Sequence, residues 1–319
     1  MPENSQQNFA GIEVGSKKLR GVVIANDARV VDRSEANYEP DQLITALSDL
    51  TRELQKSGPI DSVGVAIPGL VNREADRVLI STNLPFTARD HIHADLVKAT
   101  GLQFKLENDA NAAAYAEYKA GAGRNARDIF YIGIGNAIGG AIILDGKLWT
   151  GASGCAGEIG HITIDTEGAE CVCGNTGCLE TIASGPNIVR RARERLNRDN
   201  TSSLSRLAMQ DSFTAADLAL EANNGDDFSI MMLERTGRAI GIAVASMINL
   251  LSIERIILGG AVMEAGAMLL KPIVHEARQR SLRECFEATE IVASELGAEG
   301  AAIGAALLAR DGSATNPAS

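Results

Sequence analysis

The stretch "IFYIGIGNAIGGAIILDGKLW", residues 129–149, decides the fold. Two apolar runs flank a turn of glycine and asparagine, and a third short β segment follows near Leu148, so a three-stranded meander is expected. Residues 10–35 read the same way: "AGIEVG", "LRGVVIA" and "ARVVDRSE" are three short β-like runs separated by turn residues. Helical and strand patterns then alternate behind each triplet. In the first half, Leu43, Leu47, Leu50 and Leu54 predict a helix over about 40–56. A strand "DSVGVAIPG", a helix near 94–99, a strand "QFKLE" and the alanine-rich helix "ANAAAYAEYKAG" follow. In the second half a long interruption, about 151–225, precedes a helix over "DFSIMMLERTGRAIGIAVASMINLL", the strands "IERIILGG" and "EIVAS", and the helix "AEGAAIGAALLAR". The polar end "DGSATNPAS" is expected to be disordered. This duplicated order implies a layered α/β architecture with ligands at the carboxyl ends of strands, in a cleft between halves.

Bulk properties narrow the function. At 319 residues and 45% hydrophobic, the chain can build two domains. A formal charge of −11 with only 4% aromatics gives no basic stripe interleaved with stacking rings, which excludes a nucleic-acid groove. The opening "MPENSQQNFA" lacks a basic segment followed by an apolar one, so no secretory signal is read and a reducing, cytoplasmic compartment is expected. The apolar tract "AIGIAVASMINLLSI" is 15 residues long, short of a membrane span, and reads as a buried helix.

Four strand-end loops carry polar or glycine groups: "EVGSKK" from Glu13, "ENDAN" from Glu107, "GIGNAIGG" from Gly133 and "LGGAV" from Leu258. Asp109 follows a strand and precedes a helix, where a general base facing the cleft would belong together with Asn108 and Asn111. It can equally be the helix N-cap. The glycines of "GIGNAIGG" suit either an anion nest or a tight hairpin turn.

The segment "CVCGNTGCLE", residues 171–180, packs three of the five cysteines into eight positions. Cys171 and Cys173 are too close in sequence for an unstrained disulfide, so metal is the better reading. With His161, ten residues upstream, they and Cys178 form a Cys3His set for a tetrahedral structural zinc ion, Zn2+. The other reading is three buried free thiols. Cys155 and Cys285 read as core residues. Glu180, after the last thiol, and Glu158, before His161, would then be held ready to accept hydrogen bonds from the hydroxyls of a polar ligand.

The segments "ENDANAAAYAEY", "LDGKLWTGASGCAGEIGHITID" and "CVCGNTGCLETIASGP", with "GIEVG", "GVAIPGLV", "IILGG" and "GAAIGAALLA", resemble the ROK family of sugar kinases, repressors and relatives over nearly the whole chain. The resemblance implies an actin-like ATPase (ribonuclease H-like) fold, two α/β domains around a central cleft. The small one would span 1–121, with the final helix, about 299–311, packed back on it. The large one would span 122–298, with a zinc-binding insertion at about 151–185. It further implies ATP-dependent phosphorylation of the 6-hydroxyl of a hexose or N-acetylhexosamine, with Asp109 as base. Asn83 in "TNLPF", Asn108, Glu158, His161 and Glu180 would bind sugar hydroxyls, and His161 would serve zinc and sugar at once. Glu13, Gly15, Ser16, Lys17, Asn136, Gly139, Gly140, Gly259 and Gly260 would hold ATP and Mg2+. A homodimer or homotetramer is implied as well. DNA-binding members carry a helix-turn-helix ahead of the first strand, for which about nine residues leave no space.

Both phosphate loops depart from the family pattern. Where Asp-x-Gly-Gly-Thr-Lys is usual, the chain has "EVGSKK", and where Gly-Thr-Gly-Ile-Gly-Gly is usual it has "GNAIGG". Glu13 is one methylene longer than Asp, Ala137 adds a Cβ near the phosphates, and two threonine hydroxyls are gone. Lys17 either compensates as a cation or pairs with Glu13. The alternative function is therefore a sugar-binding sensor with weak or no kinase activity.

Overall fold

The computed structural model describes residues 7–72, 77–81, 91–196, 202, 204–207, 210 and 212–314. The first half contains β1 (Asn8–Val14), β2 (Lys18–Ala25), β3 (Val30–Asn37), α1 (Leu43–Leu54), β4 (Ser62–Ile67), the hairpin β5 (Leu70–Asn72) and β6 (Arg77–Ile80), α2 (Ile92–Thr100), β7 (Gln103–Asn108) and α3 (Asp109–Ala120). The second contains β8 (Ile129–Ile134), β9 (Ile138–Leu144), β10 (Lys147–Trp149), α4 (Glu180–Ala183), α5 (Gly185–Leu196), α6 (Leu204–Leu207), α7 (Ala215–Asn223), α8 (Asp227–Leu251), β11 (Arg255–Gly259), α9 (Ala267–Arg280), α10 (Arg283–Glu287), β12 (Glu290–Ala293) and α11 (Gly300–Ala314).

The duplication expected from sequence is realised strand for strand. One sheet runs β3-β2-β1-β4-β7 and the other β10-β9-β8-β11-β12. In each, an antiparallel meander of three strands is continued by two parallel ones. Burial follows topology: central β4 is buried at every position, whereas edge strand β3 alternates between half-buried and exposed residues. The parallel registers pair Glu13 with Ala66 and Ile67 with Asn108, so the loops after β1, β4 and β7 leave one end of the first sheet. In the second sheet Gly133 pairs with Gly259, which puts its two glycine loops at a common end as well.

Helix α11 returns to the first sheet. Ala302, Ile303, Ala306 and Leu307 pack against Phe9, Val22, Ile24 and Ala116. A side chain at Gly11 would collide with the Ala302 carbonyl and one at Gly64 with Ala305, so these strand glycines let the helix backbone lie directly on the sheet.

Several boundaries differ from the sequence expectation. The first helix is α-helical only over Leu43–Leu54, with a single 3-10 turn at each end; Pro40 sits in the entering turn. The second covers Ile92–Thr100 rather than 94–99. The interruption 151–225 is not one loop, since α4 to α7 lie in it. The first part of the end expected to be disordered is helical instead: α11 runs to Ala314, and Asp311 accepts a hydrogen bond from the Tyr115 hydroxyl at 2.5 Å and another from Arg310. Residues 315–319 lie outside the described residues. Among the described residues, no helix is long and apolar enough to cross a membrane.

Candidate active site

The loop after β7 is organised by its own side chains. Asn108 caps α3, its Oδ1 accepting from the Asn111 amide at 2.9 Å, and its Nδ2 donates to the Gly69 carbonyl after β4. Glu107, buried, accepts from the Asn108 amide and from the Asn111 side chain, each at 3.0 Å. The capping role open to Asp109 in the sequence thus belongs to its neighbour. Asp109 is the first residue of the helix, and its Oδ1 accepts from the Ala110 amide at 2.9 Å.

Burial pushes the Asp109 carboxyl up to about 7, and the charges of Glu13 and Glu158 add to the effect, against the opposing bond from Ala110. Three carboxylates from β1, α3 and the loop before His161 thereby converge. Glu158 is itself raised by burial and by Glu180, with His161 opposing. Leu70, Val71, Asn108, Gly140, Thr150 and Glu158 line a pocket beside Asp109, with Glu107 and Asn111 behind the loop. Thr150 and Gly154, which also lines it, carried no signal in the sequence.

His161, Cys171, Cys173 and Cys178 come together as the sequence suggests, with ligand atoms all within 4.8 Å of one another. The Cys173 and Cys178 sulfurs are 3.7 Å apart, and Cys171 Sγ is 3.6 Å from His161 Nδ1. A tetrahedron with metal–sulfur bonds of about 2.3 Å has edges of about 3.8 Å, so the donor set fits one ion. Burial and the two neighbouring sulfurs push the Cys178 thiol above the ordinary range, a cost that a bound dication would remove. With Nδ1 turned to the sulfurs, Nε2 of His161 is left for another partner.

Glu180 opens α4 two residues beyond Cys178, and its Oε2 accepts from the Ile138 amide at 2.8 Å, at the start of β9. The cysteine loop is therefore bonded to the β8–β9 hairpin. That hairpin is tight, Gly135 N donating to Ala137 O at 2.9 Å, with Asn136 exposed at its tip. A Cβ on Gly139 would press on Ala110, beside Asp109, and one on Gly140 on the Gly157 carbonyl. Gly185 N donates to Gly135 O at 2.8 Å, so the "SGP" turn before α5 joins the same cluster of loops. Gly259 and Gly260 pack on Tyr131 and the Ile134 backbone. In the first loop Gly15 carries the turn, its amide on Lys18 O and its carbonyl accepting from the Tyr38 hydroxyl at 2.5 Å. Ser16 and Lys17 are exposed, and the Lys17 side chain makes no ion pair among the described residues. Glu13 pairs instead with Arg20, Oε2 to Nη1 at 3.1 Å. Asn83 lies outside the described residues.

Two duplicated α/β domains around a cleft, with strand-end loops carrying acids on one side and glycines on the other, define the actin-like ATPase fold. The chain belongs to the ROK family, whose model matches residues 9–312. It is 31% identical to a glucokinase of Halalkalibacterium halodurans, the match covering 96% of each chain. It is 32% identical to an N-acetylmannosamine kinase of Escherichia coli over 94% of this chain and 97% of that one. A crystal structure of a ROK family glucokinase from Streptomyces griseus, in complex with glucose and AMPPNP, superposes with a TM-score of 0.87 at 28% identity. That match covers 95% of this chain and 99% of the other.

Proposed function

We propose that this protein is an ATP-dependent kinase that phosphorylates the 6-hydroxyl of a hexose or N-acetylhexosamine, with Asp109 as general base. The observation that carries the reading is the Asp109 carboxyl, raised to about 7 by burial and by the charges of Glu13 and Glu158, next to a pocket that Asn108 and Glu158 line. A base of that pKa takes a proton efficiently at neutral pH. Asn108, Glu158, Glu180 and Nε2 of His161 would orient the sugar hydroxyls, and Asn83 belongs to the same proposal. Phosphoryl transfer demands mainly positioning and charge neutralisation, which suits one base and two backbone loops. Zinc, held by His161, Cys171, Cys173 and Cys178, would supply rigidity only. Glu13 would hold the nucleotide's magnesium, with Gly15, Ser16, Lys17, Asn136, Gly139, Gly140, Gly259 and Gly260 around the phosphates.

The remaining assignments belong to the same reading: a small domain of 1–121 completed by α11, a large domain of 122–298, a cytoplasmic setting and a homo-oligomeric assembly. The test is ADP production from MgATP over a panel of hexoses and 2-acetamido hexoses. Sugar-dependent turnover lost in Asp109→Asn supports the proposal; equal turnover in the variant removes Asp109 as base. One observation favours a second reading, a sugar sensor: Glu13 is already engaged by Arg20. Measurable sugar binding without turnover would select it.

A further inference from the structure

Glu13, Arg20 and Glu35 stand in a row across three strands. Arg20 on β2 lies directly opposite Glu13 on β1 and opposite Glu35 on β3. Directly opposed residues share a face of the sheet, so the guanidinium stands between two carboxylates. It reaches both, with Nη1 3.1 Å from Glu13 Oε2 and Nε 3.4 Å from Glu35 Oε1. The two acids differ in setting. The Glu13 side chain is 21% exposed and that of Glu35 is 48% exposed, the latter shared with Lys18. Burial raises the Glu13 carboxyl, and the paired Arg20 guanidinium opposes that rise.

We propose that Arg20 competes with the donor's metal ion for Glu13 and sets the affinity for the phosphoryl donor by exchanging to Glu35 when a cation–phosphate complex enters. The inference rests on reading the first loop as part of the donor site. Glu13 offers a single negative charge, and a guanidinium and a magnesium shell that share one carboxylate of low exposure repel each other, so each weakens the other's hold on it. Arg20 keeps its charge at any working pH, so it must move rather than deprotonate. Glu35 supplies the place to go, one strand outward and already within 3.4 Å.

The test is calorimetric titration of Mg·AMPPNP into the wild type, Arg20→Met, Glu35→Gln and the double variant at pH 8, with a parallel series in which EDTA removes the metal. Met keeps the packing of the stem and drops the charge. Arg20→Met is expected to bind Mg·AMPPNP about three- to tenfold more tightly, the scale of a partly buried ion pair. Glu35→Gln is expected to bind more weakly, and the double variant to match Arg20→Met, since Glu35 acts only through Arg20. Metal-free AMPPNP should gain nothing from Arg20→Met. Weaker Mg·AMPPNP binding by Arg20→Met would overturn the exchange and make Arg20 a phosphate ligand. A Glu35→Gln effect that survives in the double variant would overturn it too. Wild-type turnover with unchanged affinity in Arg20→Met defeats the exchange alone, whereas a wild type with neither turnover nor nucleotide binding defeats the donor-site reading and the exchange together.

Discussion

Replacing Asp109 by Asn is expected to stabilise the protein at neutral and alkaline pH while abolishing turnover. Burial, Glu13 and Glu158 raise its carboxyl from 3.8 to about 7 in the folded chain. Below about pH 4 folded and unfolded chains both hold this proton, and the group has no effect. Between 4 and 7 only the folded chain holds it, so stability falls as pH rises, and above 7 the cost is constant. From 3.8 to about 7 is about 3 pH units, which at about 1.4 kcal/mol each sets a ceiling near 4 kcal/mol. The side chain keeps a solvent-facing edge, which screens part of the effect, so a gain of about 2 to 4 kcal/mol at pH 8 is expected. An amide is uncharged throughout, and at pH 5 the gain should shrink to about 1 kcal/mol. Urea unfolding of both proteins at pH 5 and pH 8, followed by circular dichroism, gives the comparison. An equal gain at the two pH values, or a loss at pH 8, would refute the electrostatic account of this site.

Further outcomes follow from the same geometry. If Asp109 is the base, kcat/KM should rise with pH through a single ionisation near 7 and flatten above it; a flat profile from 5 to 8 would contradict the assignment. Freshly purified protein should carry about one equivalent of zinc, and Cys178→Ser should lose both the metal and most sugar affinity; full sugar affinity without metal would show that the cluster does not hold the pocket. Glu180→Ala strips the Ile138 amide of its acceptor and should raise the KM for ATP as well as for sugar by about tenfold, while Glu180→Gln, which can still accept, should spare the ATP term. Glu117 is 1% exposed and takes bonds from the Ala122, Glu295 and Leu296 amides and the Ser294 hydroxyl. Glu117→Ala should cost about 3 kcal/mol or more in a denaturant titration; a cost under 1 kcal/mol would mean that water replaces the carboxylate without penalty.

Sequence reading reached the fold because the duplicated strands are apolar runs with glycine turns, a local signal. The metal ligands were legible for the same reason: three thiols stand within eight positions and the histidine ten residues ahead. Helix α5 is hard to read from sequence although its buried residues Ile188, Ala192 and Leu196 keep a helical period, because three buried positions among arginines are a thin signal. Arg190 and Arg191 donate to the carbonyls of Thr181 and Ile182, contacts that no periodicity reveals. The pairing of Arg20 with Glu13 is not legible in sequence because it depends on register, and a one-residue slip would turn Arg20 to the other face. The bond from Ile138 to Glu180 joins residues 42 apart, and only the closed fold brings them together.

The return of α11 to the first sheet imposes an order on synthesis. Phe9, Val22 and Ile24 leave the ribosome far ahead of the helix that covers them, which is the last described element. Translation at about 5 to 20 residues per second leaves this face uncovered for some tens of seconds. During that interval the first sheet presents an apolar surface shaped for a helix, and a holdase that recognises apolar segments would find its binding site there. One face of the first sheet packs on α1 and α2 from the first half alone, whereas the other is closed only when the second half has been made.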